Sequence, residues 1–227
     1  MSRKRLKIRA LLVDLDGTLV ETGAILVDAA KQALCTIGSC QVDPQIGVEV
    51  ARLLQSNHPL DSLLRANGIT GAAKQQFMAA YLDAFHGLTP TRTRPLPNVQ
   101  ETLRTLSKRV SLALVTRRNV SRERLAEELE RLQLIQFFRA TVTSQDVNQP
   151  QPSPEIMLKA AQDLGVPINE CVVVSDSIVD IQAGKAAGVK TIAVLSGLFN
   201  QKELEQWKPD FIIADVNCLP DLLDRLL

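Results

Sequence analysis

The run Leu11-Leu12-Val13-Asp14-Leu15-Asp16-Gly17-Thr18-Leu19 decides the fold and much of the chemistry. Its apolar start reads as a buried strand, and that strand ends in two carboxylates and a glycine. Asp14 and Asp16 lie two apart, so in an extended chain both project to the same side. Gly17 then permits a sharp turn with the backbone free to approach a ligand. A carboxylate at the end of a core strand is desolvated unless something pairs with it. Magnesium is a common partner, keeping part of its water shell and taking its other ligands from one or two carboxylates and substrate phosphate. The pattern suits phosphoryl transfer; its alternative is an ordinary Asp-Gly strand exit with two solvated acids.

Outward from that run, short apolar stretches alternate with helical patterns. Strands are expected near residues 10–13, 111–115, 140–143, 172–174, 191–194 and 211–213. Helices are expected near 99–107, 121–132, 154–164, 178–187 and 202–206. Such alternation predicts an α/β fold, a doubly wound parallel sheet. Residues 22–91 break the rhythm. Apolar positions there follow a helical period at Ile25, Ala29 and Ala33, at Val50, Leu53 and Leu54, and at Phe77, Tyr81 and Phe85. This predicts a helical insertion after the first strand, rejoined to the core through the proline-rich residues 91–97. The expected organisation is a core of 1–21 and 92–227 with a helical domain at 22–91. The Met and aromatic positions of the insertion are read as its own core.

A chain of 227 residues with 45% hydrophobic composition can bury a substantial core. A formal charge of +1 offers no field for nucleic acid or acidic membrane. The basic cluster Arg3, Lys4, Arg5, Lys7 and Arg9 precedes an apolar run too short for a signal-peptide core. No apolar stretch approaches the ~20 residues of a membrane span. The expectation is a cytoplasmic monomer or homodimer without nucleic-acid or membrane partners. Cys35, Cys40, Cys171 and Cys218 lack disulfide or zinc spacing, and the chain has just two histidines, His58 and His86. Free thiols are expected.

Two more strand ends carry polar groups. Leu112-Ala113-Leu114-Val115-Thr116 places a hydroxyl where it and the following amides can bind phosphate oxygens. Val172-Val173-Val174-Ser175-Asp176-Ser177 puts another acid at the end of an apolar strand, with Asp180 four residues on. Asp180 either supports a ligand or is a helix N-terminal charge favoured by the dipole. Ligand sites in open parallel sheets form outside the carboxyl ends of strands. All of these candidates lie there.

On these residues the chain resembles the haloacid dehalogenase superfamily, in particular its phosphoglycolate phosphatase and β-phosphoglucomutase-like group. Asp14 through Thr18 read as the first motif, Thr116 as the second, Gln151-Pro152-Ser153-Pro154 as an altered third, and Ser175-Asp176-Ser177 through Asp180 as the fourth. The resemblance implies a Rossmann-like core, and a helical cap at 22–91 that closes over the active site. It implies Asp14 as nucleophile and Asp16 as general acid and base. It also implies Mg2+ held by Asp14, the Asp16 carbonyl and Asp176, with Gly17, Thr18, Ser177 and Asp180 in support. The substrate would be a small phosphorylated metabolite. An Asp at position 16 favours phosphatase work over metal-free dehalogenation.

Departures from the pattern matter as much. The third motif usually opens with a lysine, and here the position is Gln151, which donates a hydrogen bond but brings no positive charge. Losing one preorganised donor typically costs ~2.7–4 kcal/mol, or about 10²–10³ in rate. After the position of Thr116 the family commonly has asparagine and then a basic residue, and this chain has Arg117 and Arg118. Arg117 stands level between a phosphate contact and a solvent-facing position. For Arg118 the solvent-facing position is preferred. Three readings follow: a phosphatase slowed by Gln151, a binding or regulatory protein that kept the fold, and a sugar phosphomutase.

Overall fold

The computed structural model describes residues 7–40, 44–56 and 58–226. The basic residues Arg3, Lys4 and Arg5 lie outside them. In chain order the elements are β1 (Ala10–Asp14), β2 (Val20–Glu21), α1 (Gly23–Thr36), α2 (Pro44–Gln55), α3 (Asp61–Ala66), α4 (Ala72–Arg92), β3 (Arg94–Pro95), α5 (Val99–Ser107) and β4 (Ser111–Val115). There follow α6 (Arg122–Arg131), β5 (Ala140–Val142), α7 (Glu155–Leu164), β6 (Cys171–Ser175), α8 (Ile178–Ala186), β7 (Lys190–Val194), α9 (Gln201–Glu205), β8 (Phe211–Ile213) and α10 (Leu219–Leu226). The chain divides into two compact units, Met1–Val20 with Pro95–Leu227, and Glu21–Arg94.

In the first unit the six strands run in the order β5-β4-β1-β6-β7-β8, each pair parallel. Parallel strands buried on both faces read as continuous apolar runs, which is why these segments carry so few polar residues. Alternation along each strand still sorts the two cores. Leu11, Val13, Leu112, Leu114, Val172 and Val174 face α5, α6 and α10 through Leu103, Leu106, Leu125, Leu129 and Leu223. Leu12, Ala113, Val115 and Val173 face α7 and α8 through Ile156, Met157, Ala160 and Ala183. The strand order reverses at β1, which has β4 on one side and β6 on the other. That reversal opens a crevice at the carboxyl end of β1, where Asp14 stands.

In the second unit α1 packs against α4 and α2. Ile25, Leu26, Ala29, Ala30, Ala33 and Leu34 are buried on α1, and Phe77, Tyr81 and Phe85 form a buried stack along α4. On α2, Val50 and Ala51 are buried, while Leu53 and Leu54 are half-buried.

One expected boundary shifts. α4 runs through Pro90 to Arg92, into the segment expected as a proline-rich connection. The Thr89 carbonyl accepts from both the Thr93 amide at 3.2 Å and the Thr93 hydroxyl at 2.5 Å, which closes the last turn despite the proline. All four cysteines are free thiols, with Cys35 and Cys40 exposed. No helix among the described residues is long and apolar enough to cross a membrane.

The close packing of α8 on the sheet depends on Gly184. A Cβ there would lie 2.7 Å from Thr191 Cγ2 and 3.1 Å from Val173 Cγ2. Gly184→Val is expected to destabilise the protein by about 1–3 kcal/mol, the usual range for overpacking a filled core. Urea unfolding checks this, and an unchanged midpoint would refute it.

Candidate active site

β1 delivers Asp14 to the crevice, with the side chain almost wholly buried. The chain then turns at Gly17, whose φ of +81° suits glycine. The Gly17 amide bonds the Val20 carbonyl at 2.9 Å, and the Leu19 and Val20 amides return to Leu15. This tight loop folds Thr18 back over the strand end. Its hydroxyl lies 3.0 Å from Asp176 Oδ1 and 3.4 Å from Asp14 Oδ2, and it accepts from the Asp176 amide at 3.0 Å.

β6 delivers the second acid. Ser175, Asp176 and Ser177 are buried, and Asp180 lies in the first turn of α8 at 1% exposure. The Ser175 hydroxyl lies 2.9 Å from Asp180 Oδ2 and 3.3 Å from Asp14 Oδ2, and it accepts from the Ser177 amide. Asp180 is thus more than a helix-dipole charge: it belongs to the same polar cluster as Asp14.

Glycine also shapes the seat of Asp176. A Cβ on Gly17 would fall 2.5 Å from Asp176 Oδ2, and one on Gly197 would fall 1.7 Å from it. The carboxylate occupies space that only two glycines leave open. Ser196 ties this loop to the first, its hydroxyl donating to the Gly17 carbonyl at 2.7 Å.

These acids strain against their surroundings. Burial pushes Asp14 well above the usual carboxylate range, and the charges of Asp180, Asp176 and Asp16 push it further. Asp176 is pushed up to about 7, chiefly by burial, with the Thr18 hydrogen bond working in the opposite sense. Burial also raises Asp180, against the charge of Arg117 and hydrogen bonds from Ser175 and Gln151.

The two arginines take different places. Arg117 is half-buried and within electrostatic reach of Asp180. Arg118 does not face solvent, as its sequence position suggested. It is 5% exposed and grips Asp16 with two donors, Nε to Oδ2 at 2.8 Å and Nη2 to Oδ1 at 2.7 Å. Its remaining arm, Nη1, donates to Glu128 of α6. Burial opposes its charge, but Asp16 and Glu128 outweigh that and hold the guanidinium firmly protonated.

Thr116 is buried just past β4, and its hydroxyl accepts from the Arg118 amide at 3.3 Å. Gln151 is buried as well, its Nε2 donating to Asp180 Oδ1 at 3.3 Å. Its Oε1 is buried without a hydrogen-bond partner. The Gln151 amide donor is thus directed at Asp180.

Glu128, Gly197 and Ser196 were not among the sequence candidates. Glu128 left a trace, since it lies three residues after Leu125 on the helix face that enters the core. Gly197 and Ser196 left none, because their loop matters through the position of an acid twenty residues earlier.

Hard oxygen donors in a buried cluster fit Mg2+. Among the described residues no three His, Cys, Asp or Glu side chains converge to hold an ion. Mg2+ commonly takes only one or two carboxylates and keeps several waters, so the acids present fit it by chemistry.

Comparison with known proteins agrees with this arrangement. Residues 11–194 match the haloacid dehalogenase-like hydrolase family. A phosphoglycolate phosphatase of Pseudomonas putida is 29% identical over 222 residues, covering 93% of this chain and 78% of that protein. The pyrophosphatase PpaX of Halalkalibacterium halodurans is 30% identical over 221 residues, covering 96% of this chain and 97% of that one. The crystal structure of a hydrolase from Pseudomonas syringae superposes with a TM-score of 0.76 at 27% identity, covering 96% of this chain and 99% of that chain. The chain belongs to the haloacid dehalogenase-like hydrolases and is an enzyme of that family.

The raised Asp176 fixes a sign for stability in metal-free protein. Folding binds a proton between the ordinary 3.8 and about 7, so the stability of the folded state with Asp176 is greatest below that window and falls as pH rises through it. Asp176→Asn removes this dependence. The stability of the natural protein minus that of the variant should decline between about pH 4 and pH 7 and be flat on either side. Thermal melts in a chelator across pH 4–8 measure it, and a flat difference throughout would refute the shift.

Proposed function

We propose that this enzyme is a Mg2+-dependent phosphatase that hydrolyses a small phosphorylated metabolite through an aspartyl-phosphate on Asp14. The observation that carries the reading is the cluster of Asp14, Asp176 and Asp180, buried together at the carboxyl ends of β1 and β6. A protein with no use for negative charge there gains nothing from three acids that raise one another. The names of the Pseudomonas and Halalkalibacterium relatives support the same chemistry.

In this reading an Asp14 oxygen attacks phosphorus as the bond to the leaving oxygen breaks, and Asp16 gives that oxygen its proton. Asp16 then takes a proton from water as the water oxygen attacks phosphorus. The bond to Asp14 breaks, releasing inorganic phosphate and restoring both acids. Asp14, the Asp16 carbonyl and Asp176 would hold Mg2+, whose charge offsets the repulsion between anionic nucleophile and anionic phosphate. Thr116, the amides after it and Arg117 would bind phosphate oxygens. Thr18, Ser175, Ser177 and Asp180 keep the acids in place. The helical unit would serve as the cap that selects the substrate. Expected to work in the cytoplasm, the enzyme needs no nucleic-acid or membrane partner.

A second reading, a binding protein with little turnover, draws on Gln151, whose amide donor is committed to Asp180. Activity toward p-nitrophenyl phosphate with and without Mg2+ separates the two. Asp14→Asn should abolish turnover while leaving the melting curve cooperative. Folded wild-type protein that is no faster than this variant across a panel of phosphorylated metabolites would defeat the phosphatase reading.

Gln151→Lys tests the missing charge. An ammonium at this position would pair with Asp180 and the bound phosphate, so kcat should rise, by as much as ~10²–10³ if nothing else supplies the charge. A kcat equal to or below that of the natural enzyme would mean that Arg117 already provides it.

A further inference from the structure

We propose that Arg118 is a positioning residue, which fixes the Asp16 carboxylate for the step in which it takes a proton from water and is itself fixed by Glu128. The inference rests on the role of Asp16 in the proposed function and extends it to two residues outside the site's motifs.

The main chain of Arg118 is pinned before its side chain begins. Its amide donates to Thr116 Oγ1 at 3.3 Å, and its carbonyl accepts from the Ser144 amide at 3.3 Å and hydroxyl at 3.1 Å. From that anchored start the side chain crosses buried space, with 3% of its surface exposed. Both Asp16 oxygens are taken by one planar group at 2.8 Å and 2.7 Å. A fork of this kind sets orientation as well as distance, which a single ammonium cannot do. Rotation of the Asp16 carboxylate would break both bonds at once. Glu128, with 11% of its side chain exposed, holds the other arm and stops the fork from swinging with its target.

Asp16 needs such a brace. It follows the end of β1 and precedes the Gly17 turn, so the ladder that fixes Asp14 does not reach it, apart from an isolated bridge to Val20. Its carboxylate must meet a leaving oxygen in one step and a water in the next. A misplacement of about 1 Å can cost on the order of 10²-fold in rate. The main-chain bonds of the loop hold its backbone, and Arg118 sets the direction of the Asp16 side chain.

Steady-state kinetics with p-nitrophenyl phosphate on full-length Arg118→Lys, Arg118→Gln, Glu128→Gln, Asp16→Asn and the Asp16→Asn/Arg118→Gln double variant test this, with crystal structures of the wild type and Arg118→Lys. Arg118→Lys keeps the charge and loses the fork, so kcat should fall roughly 10–100-fold with KM little changed. In the Asp16→Asn background, Arg118→Gln should cost almost nothing further, because its only route to the reaction is gone. Glu128→Gln should show a smaller fall in kcat, and it serves as the test if Arg118→Gln does not fold. Independently of turnover, Asp16 should occupy one rotamer in the wild type and several in Arg118→Lys. A slow Asp16→Asn enzyme beside a fully active Arg118→Lys enzyme overturns this inference alone. So does an Arg118→Gln loss of equal size in both backgrounds, a raised KM at constant kcat, or a single unchanged Asp16 rotamer in Arg118→Lys. An Asp16→Asn enzyme as fast as the natural one overturns both the acid-base role and its positioning.

Discussion

Like charges buried together govern this protein. Asp14 ends β1, Asp176 follows β6 and Asp180 lies in the first turn of α8, and each is lifted above its ordinary pKa by burial. Three carboxylates in so dry a place are held there by everything around them, since none would stay by preference. The parallel sheet supplies the fixed spacing, because β1 and β6 pair in register up to Val13 and Val174 and lead directly into Asp14 and Asp176. Thr18 and Ser175 supply hydroxyls that bridge pairs of acids. Gly17 and Gly197 supply the missing volume. The stability given up in assembling the cluster is what a cation binding there would recover.

Asp16 is handled by the opposite means. Where its three neighbours are held by neutral donors, Asp16 is held by an arginine that another acid fixes in turn. The difference suits two kinds of work. Acids left short of positive charge would suit the metal ion of the proposed reading, while an acid already paired keeps a set direction. One strand end therefore carries two carboxylates, two residues apart, with unlike surroundings. Environment separates their duties although the residue type is the same.

Most of the core was legible in the sequence, for a physical reason. Strands buried on both faces must be apolar throughout, so a run such as Val172-Val173-Val174 announces itself, and an acid at its end stands out. The helical unit was legible through the spacing of Ile25, Ala29 and Ala33 and of Phe77, Tyr81 and Phe85. Arg118 was not. Beyond the end of a strand no period governs which way a side chain points, and two adjacent arginines look alike until the loop is folded. Its partner Glu128 shows only as an acid in phase with Leu125 and Leu129 on an otherwise charged helix. Gly197 is invisible for a deeper reason: its importance lies in the Asp176 carboxylate that fills its space. α4 runs two residues into the connection expected at 91–97, because Thr93 closes its last turn on the Thr89 carbonyl.

The exchange of lysine for Gln151 gains meaning from these contacts. A cation at that position would sit against Asp180 and draw down the charge of the whole cluster; an amide there donates one bond to Asp180 and leaves the charge standing. Arg118 does not make up the deficit, because both Asp16 and Glu128 already claim it. Arg117, the cation that bears on Asp180, is half-buried and acts at longer range. In the proposed reading, the neutralisation of phosphate would therefore fall more heavily on a metal ion and on Arg117 than in a site with its own lysine. In the proposed reading such a site would depend on a metal ion for charge as well as for geometry, while Gln151 Oε1 stays buried without a hydrogen-bond partner.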